Sequence, residues 1–325
     1  MPTPEAGATG AGAGGVLAFL YPAPGTERVG MGAWARREAS ARPVFELMSD
    51  VTGVDIARLC DAGPIERLAG GEPAAAAAFA TGVAAHLVLE SRGVRPAAVA
   101  GLSAGELCAL WAAGVIDLED AARLVAARSR LVAECPGSGT GAMGMVEGLA
   151  PTSVEQLCSA CARNDVLVVA IVAGPRHSVV SGIAAAVDRL LVAAYRAGAR
   201  RARRWPGADA LHSPCLRPAH EPWIDVVASL RLRAPQLPLA LGATGELADG
   251  VAAVRSGLAA HLVAPVRWQR CMERLAAAGV EGMVECGDGR SLDPVHRSIA
   301  PGVPLAAACD PSAVMELDER GRRRR

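Results

Sequence analysis

The sequence predicts a mixed α/β protein in which a larger unit, built on a parallel sheet, is interrupted by a smaller α+β unit. Three observations support this. Short apolar runs alternate with helical stretches over the first 135 residues. Over about the next 70 residues, the pattern changes to closely spaced strands and helices. A chain of 325 residues is also long enough to bury a full core with one insertion or two modest domains.

The larger unit begins with an apolar run over residues 16–20 that ends in a loop rich in proline and glycine. Later elements are predicted from helical spacing or from apolar runs: a helix near Gly32, a helix over 74–92, a strand over 96–100, and helices over 104–113 and 118–133. Asp117 is placed to cap the last of these helices. Strands and helices that alternate in this order favour a parallel sheet covered by helices.

The smaller unit follows a flexible connector at 136–141. Its predicted elements are a strand over 142–147, a helix over 153–163, strands over 166–172 and 179–182, and a helix over 183–198. The chain then returns to the larger unit through an arginine-rich stretch, with later elements near 223–231, 265–268 and 280–289. We therefore expect a disordered leader at 1–15, a large unit at 16–137 and 207–315, an inserted unit at 138–206, and a basic tail at 316–325 that is disordered over 320–325.

Composition narrows the possible partners and the compartment. The 33 cationic and 33 acidic side chains balance, and all the cations are arginine, so neither nucleic acid nor a membrane surface is an expected partner. Apolar stretches are short or interrupted, and the first 15 residues lack a basic segment typical of a signal peptide. The nine cysteines have no framework spacing, which suggests reduced thiols in a cytoplasm, and Cys158 and Cys161 lack a second ligand pair, so no metal site is predicted.

The most informative segment is Gly101-Leu102-Ser103-Ala104-Gly105-Glu106, which follows a predicted strand and precedes a helix. A serine between glycines at such a turn is typical of a nucleophile held at a sharp elbow. An ordinary glycine–serine loop remains the alternative. A serine nucleophile needs a base, and of the six histidines His212 is the best placed, because it follows the inserted unit where the chain re-enters the sheet.

Several further segments, in order, resemble the malonyl-CoA:acyl carrier protein transacylase family, which includes the acyltransferase domains of polyketide synthases. The family's Gly-His-Ser-x-Gly-Glu elbow is similar to residues 101–106, and the resemblance extends from about 16 to 292. The other matching segments are residues 112–121, 124–132, 141–146, 211–216, 265–268 and 285–292. The resemblance implies an α/β-hydrolase-like large subdomain with an inserted ferredoxin-like α+β subdomain.

The resemblance also implies a function, an acyltransferase working through an acyl-serine. Ser103 would attack the thioester of malonyl-CoA or a related acyl-CoA, with His212 as general base, and the phosphopantetheine thiol of an acyl carrier protein would then take the acyl group. Coenzyme A enters as substrate, and no cofactor is expected. Such transfer serves polyketide or fatty-acid biosynthesis.

The family's other site residues carry over by position. Arg128 is expected to bind the free carboxylate of malonyl, a task suited to a planar guanidinium. The backbone near His261 is expected to orient His212, and Leu211, just before His212, favours malonyl over methylmalonyl. The main-chain N–H of Ala104 is expected to be one of two oxyanion donors.

The sequence departs from the family at three places that bear on substrate binding. Pro24 stands where the family's second oxyanion donor is a glutamine N–H, and proline has none. Either Gly25 or a side chain is then expected to substitute, or the enzyme is slow or altered. Leu102 replaces the elbow histidine. His177 lies in a segment that lacks the family's polar residues, so a changed acyl pocket or rim is expected there.

Two other functions fit the same residues. An editing acyl hydrolase would pass the acyl group from Ser103 to water, and a catalytically weak subunit would only bind the carrier protein. The arginines between 196 and 204, including Arg200 and Arg201, are a candidate docking site for an acidic carrier protein, with a solvated loop as the alternative.

Overall fold

Two sheets organise the chain in this computed structural model, which describes residues 17–136, 139–205 and 209–323. The strands are β1 (Leu17–Tyr21), β2 (Ala98–Gly101), β3 (Gly141–Glu147), β4 (Leu167–Gly174), β5 (His177–Ile183), β6 (Arg201–Trp205), β7 (Leu239–Ala240), β8 (Gly282–Glu285) and β9 (Leu305–Ala307). The helices are α1 (Ala33–Arg36), α2 (Arg42–Thr52), α3 (Ile56–Ala62), α4 (Ile65–Leu68), α5 (Gly71–Ser91), α6 (Glu106–Ala112), α7 (Leu118–Ala133), α8 (Pro151–Ala162), α9 (Ala184–Arg196), α10 (Arg217–Ser229), α11 (Val251–Ala260), α12 (Trp268–Ala277), α13 (Asp293–Ile299) and α14 (Pro311–Arg323).

The larger sheet is parallel, with strand order β7-β2-β1-β8-β9. All five residues of β1 are buried, because helices cover both faces of its sheet and a fully covered strand reads as a continuous apolar run. The chain leaves β1 for β2 on one side and β8 lies on the other, so the strand order reverses at β1. The carboxyl ends of strands beside such a reversal form a crevice where ligands bind in open α/β sheets.

Helix α5 is the central helix of the larger unit. It is 21 residues long and apolar enough, by length and composition, to cross a membrane, but 78% of its most apolar window is buried inside the protein. It packs against α2 and α7, and most of its alanines are buried. A helix that is apolar on all sides is expected at the centre of a core, and α5 occupies that place.

The smaller sheet is antiparallel, with strand order β4-β5-β3-β6, and α8 and α9 pack against it. The chain order β3-α8-β4-β5-α9-β6 is the ferredoxin-like arrangement. Main-chain hydrogen bonds join the two units: Val172 N–H donates to the Val266 carbonyl at 2.9 Å, and Val266 N–H donates to the Ala170 carbonyl at 2.8 Å.

The fold class predicted from sequence is confirmed, an α/β-hydrolase-like parallel sheet with a separate ferredoxin-like unit. The boundaries of α7 agree with the predicted 118–133. Two local predictions are wrong: the described end of the tail belongs to helix α14, and the Asp117 carboxylate pairs with Arg233 at 2.7 Å without capping α7. The arginine-rich exit, for which no element was predicted, is strand β6. The leader at 1–15 lies outside the described residues.

A tight turn after β2 brings three chain segments together. A Cβ on Gly105 would lie 2.2 Å from the Tyr21 carbonyl oxygen, and a Cβ on Gly101 would lie 2.1 Å from the Gly105 carbonyl carbon. Both neighbours are backbone atoms, which cannot rotate aside. Glycine is therefore required at both positions by close approach of the main chain.

We predict that Gly105→Ala destabilises the protein by about 3 kcal/mol or more, because the added methyl group forces apart β1 and the turn. The measurement is the midpoint of chemical unfolding. Gly302→Ala is the matched control, since nothing lies within 4 Å of a Cβ built there. Equal midpoints for the two variants would contradict the steric argument.

Candidate active site

Ser103 sits at the turn between β2 and α6. Its φ of 51° is in the left-handed region, which a serine adopts only when the surrounding structure holds it there. The Leu102 N–H donates to the Tyr21 carbonyl at 2.8 Å and ties the turn to the end of β1. This is the geometry of a nucleophile elbow, with the hydroxyl raised above the carboxyl ends of the strands.

His212 faces Ser103 from the segment that returns from the smaller unit. Its φ of 56° is also left-handed, and its N–H donates to the Leu262 carbonyl at 3.1 Å. The distance from Ser103 Oγ to His212 Nε2 is 2.6 Å, a short hydrogen bond between two buried side chains. With the ring proton on Nδ1, the hydroxyl donates and Nε2 accepts, which is the arrangement that a general base requires.

The imidazole of His212 is held neutral by its surroundings. Burial lowers its pKa well below the usual value, and the neighbouring groups His261 and Arg128 lower it further. The backbone carbonyls of Ala264 and His261 act in the opposite direction. His212 is therefore unprotonated at neutral pH and can accept a proton from Ser103.

No side chain of the described residues orients Nδ1, the His212 ring nitrogen that is not bonded to Ser103. Within the described residues, His212 Nδ1 has no hydrogen-bond partner of normal geometry. The carbonyls of Ala264 and His261 are the polar main-chain groups whose proximity affects its pKa. The expectation that backbone near His261 orients His212 stays a prediction that this placement favours.

The dyad opens onto a cavity of about 310 Å³, at the small end of the range for small-molecule sites. Both units contribute to its wall. The lining residues from the larger unit include Ala104, Arg128 and Leu211, and those from the smaller unit include Met143, Ile171 and Trp205.

Arg128 projects from α7 into this cavity and is only 6% exposed. Its Nε has no hydrogen-bond partner, and no carboxylate of the described residues lies within ion-pairing distance of its guanidinium. Burial lowers its pKa to about 10, opposed by the charge of Glu106, so it remains a cation at neutral pH. A buried cation without a partner carries a large desolvation cost, which an anion bound in the cavity would offset.

The Gly25 N–H, expected from the sequence to bind the oxyanion, already has a hydrogen-bond partner. It donates to Glu27 Oε1 at 2.8 Å, so a carboxylate occupies the donor that was expected to replace the one missing at Pro24. Burial raises the pKa of Glu27, while its hydrogen bonds to the backbone N–H groups of Gly25 and of Glu27 itself lower it. Ala104 follows Ser103 and also lines the cavity.

Three of the residues singled out from sequence lie elsewhere. Leu102 packs half-buried against a cluster of apolar side chains from both units, and His177 lies half-buried at the start of β5, paired with Glu147 across the sheet. Neither belongs to the cavity lining, so their assignment to substrate binding stays a prediction that this lining does not support. The side chain of His261 is buried behind the dyad, where its Nδ1 lies 3.2 Å from Glu106 Oε2.

The wall residues that sequence reasoning missed include Glu27, Met143, Ile171 and Trp205. Met143, Ile171 and Trp205 lie on strands of the smaller sheet, and only the packing of that sheet over the elbow brings them to Ser103. No local pattern marks them. Glu27 could have been suspected from its place in the loop after β1, two residues after Gly25.

Metal binding has no support in the part of the chain described. No group of three or more histidine, cysteine, aspartate or glutamate side chains there is close enough to hold an ion. Cys158 is buried on α8 and the Cys161 thiol is partly exposed, and both are free.

Comparison with known proteins places this geometry in a family. Residues 18–244 match the acyl transferase domain family. The malonyl CoA-acyl carrier protein transacylase of Escherichia coli strain K12 is 32% identical over 300 residues, covering 92% of this chain and 97% of the relative. A part of the spectinabilin polyketide synthase system protein NorB of Streptomyces orinoci is 37% identical over 294 residues, which is 86% of this chain and 13% of that protein.

Solved structures agree with this assignment. The malonyl-CoA:acyl carrier protein transacylase of Xanthomonas oryzae superposes with a TM-score of 0.88 at 33% identity, covering 94% of this chain and 98% of that one. A malonyl-transacylase solved in complex with a type II polyketide synthase acyl carrier protein has a TM-score of 0.88 at 31% identity, covering 94% of this chain and 99% of that one. The chain belongs to the acyl transferase family, with the malonyl-CoA:acyl carrier protein transacylases among its relatives.

Proposed function

We propose that this protein transfers a malonyl group from coenzyme A to the phosphopantetheine thiol of an acyl carrier protein. In the first half-reaction the Ser103 hydroxyl gives its proton to His212 Nε2 and its oxygen bonds to the thioester carbon. The carbon–sulfur bond then breaks, and the departing coenzyme A thiolate takes the proton from His212. In the second half-reaction the carrier thiol gives its proton to His212 and its sulfur attacks the acyl-serine carbon; the ester bond breaks, and the Ser103 oxygen takes the proton back from His212.

The observation that carries this proposal is the position of Arg128. A buried guanidinium with no carboxylate partner shares one cavity with a serine–histidine pair 2.6 Å apart. A planar guanidinium binds a carboxylate through two parallel hydrogen bonds. The acyl group that fits is therefore one with a free carboxylate, and malonyl is the smallest common thioester of that kind.

The oxyanion is proposed to bind first at the Ala104 N–H, which follows Ser103 at the start of the turn into α6. Gly25 becomes a second donor only if the Glu27 carboxylate leaves its N–H. Loss of one oxyanion donor typically slows turnover on the order of a hundredfold to a thousandfold. We therefore expect a slower transacylase than one with both donors free.

No cofactor takes part in this proposal, since a thioester is already activated and the enzyme positions it and stabilises charge. A cytoplasmic setting, where coenzyme A thioesters and carrier proteins meet, is the proposed location. All nine cysteines are free, as expected of a chain kept in a reducing compartment.

The proposed docking surface for the carrier protein is the outer face of β6 and the residue before it, defined by Arg200, Arg201 and Arg203. All three are exposed, and the same strand ends at Trp205 on the cavity wall. Arg200 and Arg201 share the Glu147 carboxylate at 3.1 and 3.4 Å. Because two arginines share the single negative charge of Glu147, this surface beside the cavity carries a net positive charge. Such a surface is suited to binding an acidic carrier protein.

We predict that intact mass spectrometry detects a malonyl adduct on the wild-type protein after mixing with malonyl-CoA, and none on Ser103→Ala. Addition of a carrier protein bearing phosphopantetheine should discharge the adduct. Discharge in buffer alone at the same rate would identify an acyl hydrolase, and absence of any adduct would leave only a carrier-binding role.

Arg128→Ala should slow malonyl adduct formation about a hundredfold or more, because a carboxylate left in a buried site without its cation loses about 3 kcal/mol or more. Acetyl adduct formation from acetyl-CoA should change only a few-fold. Arg123→Ala is the matched control, because that arginine lies on the same helix but is exposed and paired with Asp120. Equal losses for acetyl and malonyl would remove Arg128 from carboxylate recognition.

Charge reversal of Arg200 and Arg201 to glutamate should slow acyl delivery to the carrier about tenfold at low salt, without slowing acyl-serine formation. The control is the same reversal at Arg320 and Arg323 of α14, a helix packed on β8 and β9. Both half-reactions are followed by rapid quench and mass analysis. Equal slowing of the two steps, or equal effects of the two double variants, would reject this docking surface.

A further inference from the structure

A second buried ionisable pair lies behind the serine–histidine dyad and has no role in the mechanism above. Glu106 and His261 have side chains only 3% and 2% exposed, and His261 Nδ1 is 3.2 Å from Glu106 Oε2. The His261 ring meets the His212 ring edge to face, with centroids 5.8 Å apart. The order in space is Ser103, His212, His261, Glu106.

Ser103, His212, His261 and Glu106 form a row of side chains whose hydrogen-bonding groups are complementary. His212 accepts from Ser103 through Nε2, so its proton is on Nδ1; that nitrogen has no partner of normal geometry within the described residues, and the Ala264 and His261 carbonyls are the main-chain groups that act on it. His261 donates from Nδ1 to Glu106, so its Nε2 carries a lone pair, and that nitrogen has no partner within the same residues. The two adjacent buried rings therefore carry one donor and one acceptor that no bond of normal geometry engages.

Glu106 is fixed in place by the same turn that positions the nucleophile. It is the first residue of α6, three positions after Ser103, and the Gly242 N–H donates to its Oε1 at 3.3 Å. A Cβ at Gly242 would lie 3.1 Å from Glu106 Oε2, so this glycine permits the close approach. The carboxylate has little freedom to move away from His261.

The charged and titratable groups that face this pair are few. Arg128 comes from α7, His212 from the returning segment and Cys271 from α12, and the Cys271 thiol is neutral because burial raises its pKa. Burial lowers the pKa of His261, the Arg128 charge lowers it further, and Glu106 opposes both. Burial thus favours the neutral form of both rings, and the Glu106 carboxyl group lies beside one of them.

From this arrangement we infer that Glu106 and His261 act together as a positioning pair that stabilises the positive charge which forms on His212 during acyl transfer. In serine–histidine–aspartate sites a carboxylate bonded to the histidine does this directly. Here the ring of His261 contacts both the acid, through Nδ1, and the edge or face of the His212 ring. The inference rests on the proposed role of His212, but it assigns a side-chain function to two residues outside the cavity lining.

The test uses a probe that needs the dyad but not acyl-CoA. A small alkyl fluorophosphonate reacts with an activated serine: the Ser103 proton passes to His212, the oxygen–phosphorus bond forms, and the phosphorus–fluorine bond breaks to release fluoride. Its rate is followed by intact mass from pH 4.5 to 8. Ser103→Ala should show no adduct.

Glu106→Gln keeps the shape and an oxygen for Gly242, but removes the charge. We expect its plateau rate to fall on the order of tenfold, and the acidic limb to move to lower pH, since the negative charge that favours protonated His212 is gone. His261→Gln should lose rate by a similar factor, and the double variant should be no slower than the slower single variant, because the two residues act as one unit.

Glu285→Gln is the matched control: it removes another buried carboxylate, which accepts from Ser291 and Leu292. Its unfolding midpoint should fall while its reaction rate and pH profile stay unchanged. An unshifted acidic limb in Glu106→Gln, or additive losses in the double variant, would overturn the inference. Labelling of the wild type by the probe without any malonyl adduct would instead count against the proposed function alone.

Discussion

The short contact between Ser103 Oγ and His212 Nε2 is the interaction on which the site depends, and neither residue reaches it in a relaxed backbone conformation. Both have φ near 50° to 60°, at 51° and 56°. Ser103 is held by the glycines of its turn and by the Leu102 bond to Tyr21, and His212 by its bond to the Leu262 carbonyl. The two halves of the dyad thus belong to different parts of the chain, brought to one point by the parallel sheet and the segment returning from the smaller unit.

The electrostatics of the site follow from burial of several ionisable groups in a small volume. Arg128, Glu106, His212 and His261 are all under 7% exposed. Water cannot screen them, so each charge acts on the protonation of its neighbours. Burial keeps His212 neutral and therefore able to accept a proton. Glu106 offsets part of the effect of burial on Arg128, and the buried guanidinium favours the binding of an anion in the cavity.

Much of the fold and the centre of the site could be predicted from the sequence because those features are local. The glycine–serine–glycine elbow and the helical spacing of α7 each depend only on residues that are close together in the sequence. Strand β6 was missed because an edge strand with one exposed face can carry arginines, and its pairing with β3 is set by distant residues. The bond between Gly25 and Glu27 and the burial of His261 on Glu106 depend on tertiary packing, which no local pattern records.

The proposed role of Arg128 implies that an acyl group with a carboxylate changes the chemistry of the cavity. The charge of Arg128 lowers the pKa of His212. A carboxylate bound to Arg128 cancels that charge, so the pKa of His212 rises and the ring becomes a stronger base with its substrate in place. An acyl group without a carboxylate leaves the charge uncancelled and meets a weaker base. Selectivity for carboxylated acyl groups then arises in the proton transfer as well as in binding, from one guanidinium acting on both.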